Sequence, residues 1–251
     1  VKLADLTTDE VAELVSSGAA VVLVPVGSVE PHGPHLPLAT DTTISEVAAT
    51  RAIARLSSHG LRAVLAPSVP YGVTDFAAGF RGAIGVPADV LTAFLRAVVD
   101  RLLADGFAHV CLVNNHLEPA HDAAVRAAVA HAPDGRVSVA CPLTRRWGRT
   151  LSDEFKRGDC HAGRYETSLV LAAGGAVRPA SSTLPTLKVS LADGIRAGKT
   201  SFREMGLERA YTGAPSEASR EEGDALYERL AEMIETEVRE GLLRAKGAAS
   251  S

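Results

Sequence analysis

Short apolar runs that suit buried strands alternate along this chain with longer stretches whose apolar residues recur at helical spacing. Ala20-Val-Val-Leu-Val-Pro-Val26 reads as a first buried strand, and residues 62–66 as a second. Between them Asp41 or Thr42 can cap a helix whose apolar face is Ile44, Val47, Ala48, Ala52 and Leu56. Leu91, Phe94, Leu95, Val98 and Leu102 predict another helix ending near Gly106, and Val110–Val113 a third strand running into Asn114-Asn115-His116. An Ala-rich helix over 120–132, a strand over 137–141 and a helix after Tyr165 continue the alternation. Residues 174–220 are rich in Gly, Pro, Ser and Thr. Leu226, Leu230 and Met233 then mark a closing helix, expected to fray from Lys246 into the last serines. Strand and helix in alternation predict an α/β fold, with a mainly parallel central sheet flanked by helices. No internal repeat or domain boundary is evident, so one domain over 1–251 is expected.

Composition narrows the function. At 46% hydrophobic and 22% charged, 251 residues can bury a substantial core. A formal charge of −4, with Arg51, Arg55, Arg145 and Arg146 scattered among acids, gives no footprint for nucleic acid. No apolar stretch approaches the roughly 20 residues that cross a bilayer, and the opening residues lack a signal peptide's apolar region. A cytoplasmic protein without membrane partners is the expectation. Cys111, Cys141 and Cys160 are odd in number and have no Cys-x-x-Cys spacing, which points to neither a disulfide framework nor a zinc knuckle.

Three clusters carry candidate chemistry. Directly after the first strand comes Gly27-Ser-Val-Glu-Pro-His-Gly-Pro-His-Leu-Pro-Leu-Ala-Thr-Asp41, at the strand end where α/β sheets gather their sites. Glu30 and His32 stand two apart, so an extended backbone points both the same way. Pro31 and Pro34 favour that path and Gly33 permits a turn. Imidazole with carboxylates suits zinc, manganese or iron, although a polar loop with satisfied histidines fits the same residues. His116 and Glu118 repeat the spacing at another strand end, with His121 equally suited to a capping or surface role. The third cluster, Gly158-Asp-Cys-His-Ala-Gly-Arg-Tyr-Glu166-Thr-Ser168, offers His161 as a general acid or base. Cys160 beside it raises a thiol mechanism, but adjacent side chains usually point apart.

The first of these segments resembles the signature of the creatininase family, in which Gly-Ser-x-Glu-x-His-Gly leads to His-Leu-Pro and an Asp. Tyr71-Gly72, Gly106-Phe107, Asn115-His116, His161-Ala-Gly before Glu166-Thr-Ser, and Ala210-Tyr-Thr-Gly-Ala-Pro-Ser-Glu-Ala before Glu222-Gly223 follow in the family's order. The resemblance implies a metal-dependent amidohydrolase holding one or two divalent Zn, Mn or Fe ions. It implies Glu30, His32, Asp41 and His116 as ligands, Asp41 bridging, and Glu118 ligating a second metal as in creatinine-hydrolysing members. It further implies His161 as the catalytic histidine and Glu166 as a recurring acid near it. The substrate is expected to be a small or peptide amide hydrolysed by activated water, and the assembly a homo-oligomer, with the segment 174–215 packed on a neighbour or serving as a lid.

The chain departs from the family pattern at Leu117, Pro119 and Phe80-Arg81-Gly82-Ala83-Ile84, which bears on the substrate rather than the metal. Arg81 is a candidate partner for a substrate carboxylate or phosphate, and Trp147 the single Trp that can cover a ring. A non-catalytic metal-binding protein and a Cys160 thiol hydrolase are the competing readings. An intact His161 speaks against the first, and chelator sensitivity separates the second.

Overall fold

A computed structural model describes residues 1–249, with the side chains of 248 and 249 left out; Ser250 and Ser251 lie outside the described residues. Four strands form one parallel sheet: β1 (Ala20–Val26), β2 (Arg62–Leu65), β3 (His109–Asn114) and β4 (Val137–Ala140), in the order β2-β1-β3-β4. Val22 of β1 pairs with Val64 of β2 and Val110 of β3, and Val110 with Val137 of β4. All seven residues of β1 are buried, which is why its sequence is uniformly apolar rather than alternating: helices cover both faces.

On one face Val21, Leu23, Cys111 and Val113 pack against α2 (Thr40–Ser57), α7 (Arg164–Ala172) and α9 (Arg220–Ala249). On the other, Val22, Val24, Val110 and Leu112 meet α1 (Thr8–Ser16), α3 (Ala88–Ala104) and α4 (Pro119–Val129). Three short helices, α5 (Arg145–Gly148), α6 (Asp153–Arg157) and α8 (Leu191–Arg196), lie in connecting segments. The layered α/β architecture is the one the sequence predicts, with strand ends displaced by a residue or so.

Four local expectations differ. Asp41 does not cap α2; Ala39 holds the cap position, no side chain closes it, and the Asp41 carboxylate turns into a buried cluster. The reading of the sequence passed over α1, whose Thr7 and Glu10 form a reciprocal capping box. The last helix continues through Lys246 to Ala249 rather than fraying there. The segment from 174 onward is supported within the chain: Leu191 and Ile195 of α8 pack with Phe202, Met205, Phe76 and Phe80. Its length is therefore no argument for a neighbouring copy.

His109 shows what burial does to a titratable group far from that cluster. Its Nδ1–H donates to Gly135 O at 2.9 Å and its Nε2 accepts from Ser138 Oγ at 2.8 Å, so the ring is satisfied while neutral. Burial lowers its pKa from 6.5 to about 4. Between those values the unfolded chain binds a proton that the folded chain refuses. The contribution is whole above pH 6.5 and is lost as pH falls towards 4. A shift of that size corresponds to about 3 kcal/mol. Urea unfolding of wild type and His109→Gln at pH 7.5 and 5 checks this; the expected result is a smaller loss of stability on acidification in the variant.

Candidate metal centre

Three chain segments converge at the carboxyl ends of β1 and β3. Gly27, directly after β1, allows the start of α2 to approach, since a Cβ there would stand 2.6 Å from the Thr42 backbone nitrogen. That contact brings Asp41, in the first turn of α2, beneath Glu30 and His32. The turn after β3 supplies His116, and the entry of α7 supplies His161 and Glu166. Ala162 between them sits at φ 49°, a left-handed conformation disfavoured for a side chain and held by its N–H donating to Glu166 Oε2 at 2.6 Å.

Three histidines here are oriented alike. His32 Nδ1–H donates to Glu30 O at 3.1 Å, His116 Nε2–H to Val73 O at 2.6 Å, and His161 Nε2–H to Pro31 O at 3.1 Å. Each backbone carbonyl fixes a tautomer and leaves the other ring nitrogen facing carboxylates. His32 Nε2 is 3.1 Å from Asp41 Oδ1 and 3.4 Å from Glu166 Oε2. His116 Nδ1 is 3.0 Å from Asp41 Oδ2 and 3.3 Å from Glu30 Oε1, and His161 Nδ1 is 3.9 Å from Glu30 Oε1. Asp41 thus presents one oxygen to each side.

Exposure is 2% for Glu30, 1% for Asp41 and 3% for Glu166, so these carboxylates are almost wholly withdrawn from bulk solvent. Among the described residues their ion-pair partners are histidines. Glu30 Oε2, His32 Nε2 and Asp41 Oδ2, though close to opposite groups, have no hydrogen-bond partner. Burial would push His32 down, but Asp41, Glu166 and Glu30 together lift it to about 10. His116 is raised in the same way by Glu30 and Asp41, against the effect of burial. Burial and the Asp41 charge, partly offset by His32, hold Glu166 near 8. Such a cluster retains protons unless a cation replaces them. Its donor atoms fit that replacement: Glu30–Asp41–His116, His32–Asp41–Glu166 and Glu30–His32–His161 each place three ligand atoms within 4.8 Å of one another.

Above the cluster opens a cleft of about 380 Å³. Phe76, Phe202, Phe155, Leu117 and Leu143 form apolar walls, Leu191 and Ile195 of α8 roof it, and Lys156 and Arg196 stand among its lining residues. The His161 ring stacks on Phe202, centroids 4.4 Å apart and planes 26° apart. Burial and the neighbouring His32 hold His161 near 4, so it is neutral at ordinary pH with its Nδ1 lone pair free.

A model of the creatininase family, described as creatinine amidohydrolase, matches residues 4–238. This chain belongs to the creatininase family. It is accordingly a metal-dependent hydrolase of amide C–N bonds. The mycofactocin precursor peptide peptidase of Mycobacterium tuberculosis (strain ATCC 25618 / H37Rv) is 31% identical over 225 residues, covering 86% of this chain and 83% of that protein. Its counterpart from Mycobacterium ulcerans (strain Agy99) is 30% identical over 249 residues, covering 93% and 88%. Among solved structures, a manganese creatininase superposes with a TM-score of 0.72 at 21% identity, covering 96% of this chain and 98% of that one. A crystal structure of creatinine amidohydrolase gives 0.71 at 21%, covering 94% and 95%. At that identity the structural likeness concerns the fold.

Of the residues singled out in this family member's sequence, Glu30, His32, Asp41, His116, His161 and Glu166 come together. Glu118 stands apart. Its oxygens accept from the backbone N–H groups of Asp75 at 3.0 Å and Phe76 at 3.3 Å, and its Oε2 lies 4.0 Å from His116 Nε2, the nitrogen turned away from Asp41. Burial raises its pKa to about 7. The backbone carbonyl of Pro31 orients His161, while Asp159 pairs with Arg157. Arg81 is exposed and outside the cleft, and Trp147 is buried against α9 with its Nε1–H donating to Glu237 at 2.7 Å, so neither fills the role anticipated for it. Cys160 lines the cleft, but burial and then the Glu166 charge hold its thiol far above the ordinary range, against a thiolate nucleophile. His121, expected as a capping or surface group, is fully buried. The sequence reading missed Phe76, Phe202, Leu191 and Ile195, which lie in stretches where no long apolar period marks a wall.

Proposed function

We propose that this chain cleaves a peptide-type amide bond at the cluster of Glu30, His32, Asp41, His116 and Glu166, with His161 moving the proton and one domain over 1–251 carrying the activity. The observation that carries the reading is the common orientation of His32, His116 and His161, each tied to a backbone carbonyl and turned towards buried carboxylates. Glu30, Asp41 and His116 would hold one divalent ion and His32, Asp41 and Glu166 a second, with Asp41 shared. Ions held there supply Lewis acidity, lowering the pKa of water and polarising a carbonyl.

The chain's own groups supply the rest. His161 Nδ1 takes a proton from water and returns it to the leaving nitrogen, with its other nitrogen fixed by Pro31 O. Phe76, Phe202 and Leu117 exclude water and seat apolar substrate groups. A peptide is favoured over a small ring because relatives of nearly full-length match are named as peptide peptidases and because apolar side chains wall the cleft. Glu118 remains a candidate ligand of a second ion only if its two backbone hydrogen bonds give way.

The test is a hydrolysis panel run with and without chelator. Expected are loss of activity on chelation, recovery with Zn, Mn or Fe, peptide cleavage, and creatinine turnover below about 10⁴ M⁻¹s⁻¹. Creatinine hydrolysis above that value, without peptide cleavage, would reverse the substrate assignment. The buried free cysteines suit a reducing compartment, and we place the protein in the cytoplasm. No described helix is long and apolar enough to cross a membrane. A homo-oligomer is expected from family membership; light scattering should give a mass above that of one 26.1 kDa chain.

A further inference from the structure

His121 has no place in the chemistry described above, yet it is fully buried beside it, in the first turn of α4, with its ring edge-on to His116 at a centroid distance of 4.6 Å. Its Nδ1 accepts from the Val73 N–H at 3.2 Å, which puts its own proton on Nε2, and that N–H donates to Asn114 Oδ1 at 3.1 Å. The same Asn114 oxygen accepts the His116 backbone N–H at 3.0 Å. His116 in turn donates Nε2–H to Val73 O at 2.6 Å. These four hydrogen bonds form a closed circuit: His116 ring to Val73 carbonyl, Val73 N–H to His121, His121 to Asn114, and His116 backbone to Asn114. Residue 72 must be glycine for the circuit to close, because a Cβ there would stand 2.6 Å from His121 Nδ1.

We infer that His121 is a positioning residue: by gripping the N–H of Val73 it holds the residue whose carbonyl, in the next peptide unit, aims His116, and so sets the metal affinity of the Glu30–Asp41–His116 group. The physical reason is that a ligating imidazole is only as well aimed as the acceptor of its other nitrogen. Val73 lies in an irregular segment between β2 and α3, with no strand ladder to hold it, and the peptide units before and after its Cα are each held by one of the two histidines. Asn114, the last residue of β3, anchors the circuit to the sheet. The inference rests on the proposed metal site.

The experiment is titration of Zn or Mn into metal-free wild type, His121→Phe, His121→Asn and Asn114→Ala, with imidazole nitrogen spectra of His116 recorded before metal is added. His121→Phe keeps the ring volume and removes both hydrogen bonds. Its metal affinity is expected to fall by about 10- to 100-fold, and the His116 Nε2–H resonance to lose the shift that its hydrogen bond to Val73 O gives it. His121→Asn, which restores an acceptor for the Val73 N–H, is expected to recover most of the affinity. Asn114→Ala, should the Phe variant not fold, removes the oxygen that fixes the tautomer of His121 and is expected to show the same weakening. A folded His121→Phe or Asn114→Ala protein with wild-type affinity and a wild-type His116 spectrum overturns the inference. Wild type that binds no metal overturns instead the metal-site reading beneath it.

Discussion

Asp41→Ala is expected to strip the protein of metal and to abolish amide hydrolysis together. Asp41 is the one residue shared by the Glu30–Asp41–His116 and His32–Asp41–Glu166 groups, with Oδ1 3.1 Å from His32 and Oδ2 3.0 Å from His116. Removing it takes a ligand from both groups and leaves two imidazoles facing a site with one negative charge fewer. Because loss of an outer partner alone typically weakens binding 10- to 100-fold, loss of this carboxylate should weaken it by more than about 100-fold. Elemental analysis after gel filtration measures the effect. Thermal unfolding of the metal-free variant beside metal-free wild type separates loss of ligation from loss of fold. Retention of the wild-type metal content in a folded Asp41→Ala protein would show that Asp41 is not the shared ligand of the two groups.

His161→Ala is expected to lower turnover by about 10²- to 10⁴-fold while leaving the metal content close to that of wild type. His161 belongs to one of the three candidate groups, with Glu30 and His32, so its chemistry is not settled by proximity. Two observations favour proton transfer. Its Nδ1 is 3.9 Å from the nearest Glu30 oxygen, farther than the 3.0–3.4 Å that separate the His32 and His116 nitrogens from their nearer carboxylates. The two groups that share Asp41 are complete without it. Burial also keeps the ring neutral, which leaves its Nδ1 lone pair free. Metal loss in His161→Ala comparable to that in Asp41→Ala would move His161 among the ligands.

The same site reappears across the chain at different levels of legibility. Glu30 and His32 could be read as a pair from their spacing, since an extended backbone repeats every two residues. Placing them at a strand end followed from the apolar run Ala20–Val26. By its position alone Asp41 reads as a helix cap, and only the family resemblance implied it as a ligand, because the same residue type in the same first turn can face either the helix N–H groups or the interior. Gly27's approach to Thr42, a contact between segments 15 residues apart, selected the second. Glu118 shows the converse: its spacing from His116 copies that of His32 from Glu30, but the N–H groups of Asp75 and Phe76 capture its carboxylate.

Apolar periodicity determined the layers of this protein, because burial on two faces of a sheet demands uniformly apolar strands, and one-sided helices must cover them. It also determined which loops carry the chemistry, since the dense Glu, His and Asp clusters fall where the strands end. Tertiary structure alone decided which of those side chains face one another, and therefore which nitrogen of each histidine is free. The acceptors that decide it, Glu30 O, Val73 O and Pro31 O, are backbone carbonyls. Every residue has one, so no residue type in the sequence marks them, and only the folded path of the chain brings the right one to each ring.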